Sequence, residues 1–137
     1  MNQHPYLRAY MAGIALPTAF LLIVMTAFTI ARYVCNIPLP IERVIVFPMA
    51  VVPNLWGLWN ILYIALLSRH NVSIGIFGAL LPLLIGPLGG VLITQVVNFP
   101  IPLIFLALPI VMVVAIVVYY LVWKYLVGFL NHVVGIA

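Results

Sequence analysis

Charged residues are almost absent from this chain of 137 residues. Lysine, arginine, aspartate and glutamate together make up 4% of it, whereas hydrophobic residues make up 68%. Soluble domains carry roughly 25% charged residues, which they need to build a surface that faces water. So low a charge content excludes a soluble domain, and it indicates a protein whose solvent is lipid.

Carboxylates are rarer still, because Glu42 is the only acidic residue in the chain. General acid–base catalysis usually needs a positioned carboxylate, histidine or lysine, and a proton-coupled carrier places an ionisable group within the bilayer. Glu42 lies beside Arg43 and close to Arg32, which predicts an ion pair at the surface. We therefore expect no enzyme activity and no catalytic residue.

Thiols and imidazoles are also too few to build a metal centre. A single cysteine, Cys35, excludes a disulfide within the chain. The three histidines, His4, His70 and His132, are predicted at one membrane face with no carboxylate or thiol beside them, so no metal site is expected. The five cations stand at five separate positions and form no patch for nucleic acid.

What the chain does contain is long uncharged stretches, which cover residues 9–31, 44–68 and 70–123. A transmembrane helix needs about 20 apolar residues, and the last stretch is long enough for two. The segment Asn98-Phe99-Pro100-Ile101-Pro102 divides that stretch, because its prolines interrupt a helix. Since the apolar runs occupy both residue parities, they predict helices and not barrel strands.

The sequence thus predicts an all-α integral membrane protein with a single domain, residues 1–137, and short loops. Four transmembrane helices would form an antiparallel up-down bundle, in which proline and glycine kink the second and third helices. The expected spans cover about residues 9–31, 42–67, 73–97 and 102–127.

The distribution of positive charge predicts the orientation. Four spans place Arg8, Arg69 and Lys124 on one side of the membrane, and Arg32 and Arg43 on the other. Because cytoplasmic segments carry an excess of lysine and arginine, we expect the N- and C-termini to be cytoplasmic. The membrane is expected to be the cell membrane, which for a bacterial protein is the inner membrane.

The most specific pattern lies in the third predicted helix, where small residues and prolines share one face. At about 100° per residue they fall within about 60° of one line. Small residues spaced three or four apart let helices approach closely in lipid, so this face is a candidate helix-packing seam. Alternatively, the prolines break the helix and expose carbonyl groups along a solute path. The residues of this face are Gly75, Gly78, Ala79, Pro82, Gly86, Gly89 and Gly90.

A second pattern combines amides and aromatic rings. In the second predicted helix Trp56 and Trp59 share one face, Gly57 and Asn60 share an adjacent face, and Asn54 points elsewhere. An amide in hydrocarbon needs a hydrogen-bond partner, so these side chains are predicted either to bind a neighbouring helix or to line a cavity. With Gln95 of the third helix, the candidate intramembrane face comprises Asn54, Trp56, Gly57, Trp59, Asn60 and Gln95.

Two functions fit these patterns. The first is a non-catalytic accessory or structural subunit, which packs against other membrane chains or copies of itself and holds lipid in its grooves. The alternative is a small oligomeric channel or carrier for a neutral or weakly polar solute. In that case the broken third helix would line the path together with Asn54, Asn60 and Gln95.

Overall fold

The computed structural model describes residues 4–39, 41–67, 70, 72–97 and 101–136, with the backbone alone for residues 43, 67, 91–97 and 101–107. Within these ranges the chain is helical and contains no strand, which confirms the predicted all-α class. The α-helices are α1 (Pro5–Tyr33), α2 (Ile41–Val44), α3 (Val52–Leu62), α4 (Ile74–Ala79), α5 (Leu81–Val97), α6 (Ile101–Leu121) and α7 (Gly128–Val133). Wider, π-helical turns occupy Ile45–Met49, Tyr63–Leu67 and Val122–Val127.

Three helices in the described ranges are long and apolar enough to cross a membrane. They are α1, a middle helix (Ile45–Leu66) and a C-terminal helix (Leu108–Val133), with 29, 22 and 26 residues and mean hydropathies of 2.2, 1.5 and 2.3. A shorter apolar helix, called the short helix below, covers Ile74–Gly90. The predicted membrane character therefore holds for three helices, because each exceeds the roughly 20 residues that a bilayer requires.

The middle helix is irregular where its prolines stand. Phe47 has extended backbone angles (φ −147°, ψ 129°), and its peptide bond to Pro48 is cis. Regular α-helix starts again at Val52, with Pro53 in its first turn. Proline is tolerated there because the first amides of a helix have no partner within the helix.

The short helix is divided at Leu80, which separates α4 from α5. The amide of Leu80 donates to the carbonyl of Phe77, and the amide of Leu83 donates to the carbonyl of Leu80. This three-residue spacing is tighter than that of an α-helix. It lies beside Pro82, which has no amide hydrogen of its own to donate.

In the described ranges α1 and α3 form the most extensive helix contact, and glycine makes their close approach possible. A Cβ atom built at Gly13 would lie 2.7 Å from the carbonyl oxygen of Trp56 and 2.8 Å from Cα of Gly57. Neither position has room for a side chain, because a Cβ at Gly57 would meet the ring of Tyr10 at 2.5 Å. The C-terminal helix packs against the short helix and encloses a core of Trp56, Leu81, Trp123 and Val127.

The connection between α1 and α2 is fixed by one arginine. Arg32 forms an ion pair with Glu42 at 2.7 Å and donates a second hydrogen bond to the carbonyl of Leu39 at 3.4 Å. The predicted ion pair is therefore confirmed for Arg32. Cys35 lies in the same connection and is exposed.

Candidate functional site

Two buried asparagines face each other across the bundle. Nδ2 of Asn60 donates to Oδ1 of Asn131 at 2.7 Å, and Nδ2 of Asn131 donates to Oδ1 of Asn60 at 3.0 Å. Nδ2 of Asn60 also donates to the backbone carbonyl of Ala9 at 2.8 Å. We call this arrangement the asparagine clasp, and it joins α1, α3 and α7.

The clasp offsets the free-energy cost of burying an amide in an apolar interior. Both asparagine side chains are 0% exposed, and an unpaired amide in such a place costs several kcal/mol, roughly 2–7. Pairing the two amides with each other removes most of that cost in one step. Because each bond requires a defined distance and direction, the clasp also fixes the register of the three helices.

An aromatic layer lies beside the clasp, one helical turn along α3. The ring of Trp56 meets that of Tyr119 edge-on at 5.1 Å and that of Trp123 at 5.4 Å. The indole nitrogens of Trp56 and Trp123 are buried and have no hydrogen-bond partner among the described residues. This layer packs the side chains of the middle helix against those of the C-terminal helix.

A third contact joins α3 to the start of the short helix. The indole of Trp59 donates to the carbonyl of Phe77 at 2.9 Å, and the two rings stack at 4.5 Å with an angle of 14°. The hydroxyl of Tyr63 donates to the carbonyl of Val72 at 2.9 Å. Trp56 and Trp59 therefore contact different neighbours, although the helical wheel groups them on one face.

The small-residue face of the short helix divides into a covered part and an open part. A Cβ at Gly75 would lie 3.0 Å from Tyr120, and one at Gly78 would lie 2.0 Å from Cγ of Trp123. A Cβ at Gly86 would lie 2.4 Å from the terminal methyl of Met112, and one at Gly90 would meet no described atom within 4 Å. The remaining members are buried or half-buried, namely Ala79, Pro82 and Gly89.

At about 100° per residue a regular helix would place Leu81 about 120° from the middle of the small-residue face, on the opposite side of the short helix, but the structure buries it. It is 1% exposed and packs in the core with Trp56 and Trp123. The tight turn at Leu80 explains the difference, because a three-residue turn advances each side chain by a larger angle than an α-helical turn does. Its neighbour Leu84 remains exposed, as the wheel predicts for that side.

Asn54 lies in a separate groove between α1 and the middle helix. Its Nδ2 donates to the carbonyl of Ala50 at 2.7 Å, and its Oδ1 accepts a hydrogen bond from the hydroxyl of Tyr10. We call this the polar groove, and its volume is about 220 Å³. Its walls are Tyr10, Ile14, Thr18, Leu21, Met49, Pro53 and Asn54.

The structure thus separates the members of the predicted polar and aromatic face, and Trp59 contacts the short helix. Asn60 belongs to the clasp, Trp56 to the aromatic layer, and Asn54 to the polar groove, while Gly57 forms the close approach to α1. Gln95 falls outside the described side chains. Sequence reasoning missed Asn131, whose signal was an amide beside His132 in the mostly apolar run that follows Lys124.

Ionisable groups contribute little chemistry in the described part of the chain. No cluster of three or more histidine, cysteine, aspartate or glutamate side chains occurs there. The pKa of Glu42 lies below its ordinary value because the carboxyl accepts hydrogen bonds from its own backbone amide and from Arg32. The described arrangement therefore offers neutral hydrogen-bonding groups and close helix contacts.

Comparisons of the chain with protein-family models, with curated proteins and with solved structures found no match.

Proposed function

We propose that this chain is a non-catalytic multi-pass membrane protein that acts by assembly. It packs against other membrane chains or against copies of itself, as an accessory or structural subunit. The observation that carries this proposal is the uneven packing of the helices. One half of the described molecule is closed, and the other half offers long apolar helix surfaces without an intramolecular partner.

The closed half contains the clasp and the aromatic layer. Beyond Leu21, no further residue of α1 is buried, and between residues 108 and 118 no residue of the C-terminal helix is buried. Ile110 and Val113, for example, are 70% and 63% exposed. These surfaces suit contact with lipid or with further helices.

Gly90 supports assembly more specifically than general apolar exposure does. It continues the small-residue face of the short helix past the glycines that described side chains cover. Close backbone approach at small residues is the main route by which helices associate in lipid. A helix from another chain can therefore approach Gly90 without displacing any described side chain.

The topology that goes with this function has four spans in an antiparallel bundle. The short helix and its continuation in α5 cover residues 74–97 with one break, which is about 36 Å at 1.5 Å per residue. That length is sufficient for a fourth crossing of a ~30 Å core. With four crossings and the positive-inside rule, both termini lie on the cytoplasmic side of the cell membrane.

Bound lipid is part of the proposal, because the described molecule has an apolar groove of about 500 Å³. The groove lies between α1, the middle helix and the C-terminal helix, and it shares Leu21 with the polar groove. It is lined by Leu16, Pro17, Phe20, Leu21, Pro48, Val52, Trp56, Val118, Tyr119, Val122 and Leu126. Acyl chains fit such a surface by apolar contact alone.

A channel or carrier is the second candidate, and the separation of the two asparagines disfavours it. That function needs Asn54 and Asn60 on one path. Asn60 is fully buried with its amide engaged in the clasp, whereas Asn54 is exposed in the polar groove. A path would have to form between copies of the chain and not through the single bundle.

The test is the mass of the protein purified in a mild detergent from its native membrane. We expect a complex larger than one chain, and a strictly monomeric protein with nothing attached would contradict the proposal. Gly90→Leu should reduce assembly while the thermal stability of the chain is kept. Gly86→Leu is the contrasting variant, because its side chain first meets Met112 within the chain and should lower stability.

Proteoliposome flux separates the second candidate from the first. A channel or carrier predicts solute entry that Gly86→Leu abolishes. A subunit that acts by assembly predicts no entry above that of empty vesicles, with or without the substitution.

A further inference from the structure

The polar groove contains an amide that the described residues satisfy only in part. Asn54 carries two N–H donors and an oxygen that can accept two hydrogen bonds. One donor is engaged by the carbonyl of Ala50, and the oxygen accepts one bond, from the hydroxyl of Tyr10. Among the described residues nothing engages the second donor or the second lone pair of the oxygen. Because Asn54 is exposed, a partner outside the chain has access to this side chain.

The depth of Asn54 in the membrane limits what that partner can be. In the middle helix (Ile45–Leu66) Asn54 stands nine residues after the first residue and twelve before the last, so about 13 Å or more of helix separates it from either end. At that depth the hydrocarbon core contains neither water nor polar lipid groups. An unpaired amide costs free energy there, and a second protein segment can supply both the missing donor and the missing acceptor.

Two helices supply all the described walls of the polar groove. Its seven lining residues belong to α1 or to the middle helix, and none of them is charged. Apolar side chains continue this surface on both helices, because Met11, one turn before Ile14, and Leu58, one turn after Asn54, are each 56% exposed. We call the polar groove together with Met11 and Leu58 the groove face. It is an apolar surface with a partly free amide, which suits contact with another helix in lipid.

The clasp shows which partner completes the bonds of a buried asparagine in this chain. Asn60 donates one N–H to the carbonyl of Ala9, donates the other to Asn131, and accepts one bond from Asn131 in return. Asn54 has the bond to a carbonyl, that of Ala50, but lacks the exchange with a second amide. Since its free donor and its free lone pair complement each other, two copies of Asn54 can exchange the same two bonds. Copies inserted in the same direction also hold Asn54 at the same depth.

We propose that the groove face binds a second copy of this chain, with Asn54 of each copy donating to the side-chain oxygen of the other. A two-fold axis along the membrane normal relates the copies, and two-fold dimers are the commonest assemblies of identical chains. The axis passes between the two Asn54 side chains, with Met11 and Leu58 beside it. This inference rests on the proposed function, which is assembly in the membrane, and it names the partner and a face distinct from that of Gly90.

The experiment measures dimerisation in a bilayer. The full chain is labelled at Cys35, the only cysteine in the sequence, with a donor or an acceptor dye, and both forms are reconstituted together in dioleoylphosphatidylcholine vesicles. Energy transfer, measured as the lipid-to-protein ratio is raised, gives the dimerisation constant. Asn54→Leu should weaken dimerisation about threefold to thirtyfold, the range expected for hydrogen bonds between membrane helices.

Tyr10→Phe is the matched control for effects within the chain. It removes the bond that Tyr10 donates to Asn54 but leaves the amide in place, and it releases a further lone pair for the second copy. Dimerisation should therefore be kept or strengthened, whereas Asn54→Leu weakens it. If the amide acted only by joining α1 to the middle helix, the two substitutions would weaken dimerisation alike.

Cross-linking locates the contact independently of Asn54. In a Cys35→Ser background, Leu58→Cys places one thiol of each copy on the groove face, and the two-fold axis brings the two thiols together. Val113→Cys is the control, because Val113 is 63% exposed on the C-terminal helix and does not belong to the groove face. Oxidation with copper-phenanthroline in the vesicles should link the copies at position 58 and not at position 113.

Three results would overturn the proposal. A chain that stays monomeric in the vesicles, although it forms a larger complex in its native membrane, would show that the partner is a different protein and would leave the proposed function intact. Equal effects of Asn54→Leu and Tyr10→Phe would confine Asn54 to a role within the chain. Cross-linking at position 113 in place of position 58 would move the contact to the C-terminal helix.

Discussion

Asn60 and Asn131 lie 71 residues apart in the chain and exchange two side-chain hydrogen bonds in its fully buried interior. One of these amides also holds the carbonyl of Ala9. The first, middle and C-terminal helices thus meet at a single polar point. In an apolar surrounding such a point specifies which helix faces which, because any other register would leave the amides unpaired.

Removing one side of the clasp should destabilise the protein. Asn131→Leu leaves the amide of Asn60 buried with only Ala9 as partner, at a cost of about 1–3 kcal/mol. The measurement is the free energy of unfolding in mixed detergent micelles. Asn60→Leu should cost more than Asn131→Leu, because it also removes the bond to Ala9.

The double variant tests whether the two residues act as a unit. Asn60→Leu combined with Asn131→Leu should cost less than the sum of the single changes, since no unpaired amide then remains. A coupling energy of about 0.6–2 kcal/mol is expected for such a bond in a membrane protein. Strict additivity would show that the two amides do not support each other.

Glycine positions on the short helix should differ sharply in their tolerance of a methyl group. Gly78→Ala places a Cβ 2.0 Å from Cγ of Trp123, a buried ring on a packed helix. The expected cost is about 1–3 kcal/mol, which is typical of overpacking. Gly90→Ala is the control and should be neutral or slightly stabilising, because no described atom lies within 4 Å of the added methyl group and alanine favours helix. Thermal unfolding followed by circular dichroism measures both, and equal midpoints would contradict the packing.

The hydroxyl of Tyr63 should contribute measurably to stability. It donates to the carbonyl of Val72 at 2.9 Å and so ties the middle helix to the residues before the short helix. Tyr63→Phe removes this bond alone and should cost about 0.5–1.5 kcal/mol. Tyr33→Phe is the matched control, because Tyr33 is exposed and contacts Arg32 through its ring, which phenylalanine retains. An equal loss in the two variants would argue against the bond.

Acid should loosen the connection between α1 and α2. The pKa of Glu42 is lowered in the folded protein by hydrogen bonds from its own amide and from Arg32. The stability that the ionised Glu42 adds to this connection is therefore complete above the ordinary carboxyl pKa of about 4.3. It is lost as the pH falls through the lowered pKa of the folded protein. Hydrogen exchange at the amides of Val34, Cys35 and Ile37, corrected for intrinsic rates, should show less protection at about pH 3 than at about pH 6.

Glu42→Gln provides the control for this effect. Its side chain carries no charge to lose, so the corrected protection should be the same at both pH values and should match that of the wild type in acid. Protection in the wild type that does not change with pH would show that the ion pair does not hold the connection.

The helical class could be predicted from the sequence because it depends on composition. Once charges are absent for more than twenty residues, the backbone must satisfy its own hydrogen bonds, and a helix does this locally. The ion pair of Arg32 with Glu42 could also be predicted, because the two residues are close in sequence and the chain has no other carboxylate side chain.

The partners of the buried side chains could not be predicted in the same way. That Asn60 needs a hydrogen-bond partner follows from its place in an apolar helix. That the partner is Asn131 follows only from the packing of three helices. The wheel also failed at Leu81, because a single tight turn at Leu80 changes the direction of the side chains that follow. The sequence likewise did not show that Asn54 and Asn60 lie in different places, because Asn54 is bonded by Tyr10, which belongs to a different helix.

The exposed thiol of Cys35 allows the orientation of the chain in the membrane to be measured without any substitution. It lies just past α1, at the opposite end of that helix from Ala9 and the clasp. No other cysteine is present in the sequence, so a membrane-impermeant maleimide can react at one position only. Labelling of intact cells would place this connection outside and the N-terminus inside, and labelling only after permeabilisation would place them the other way round.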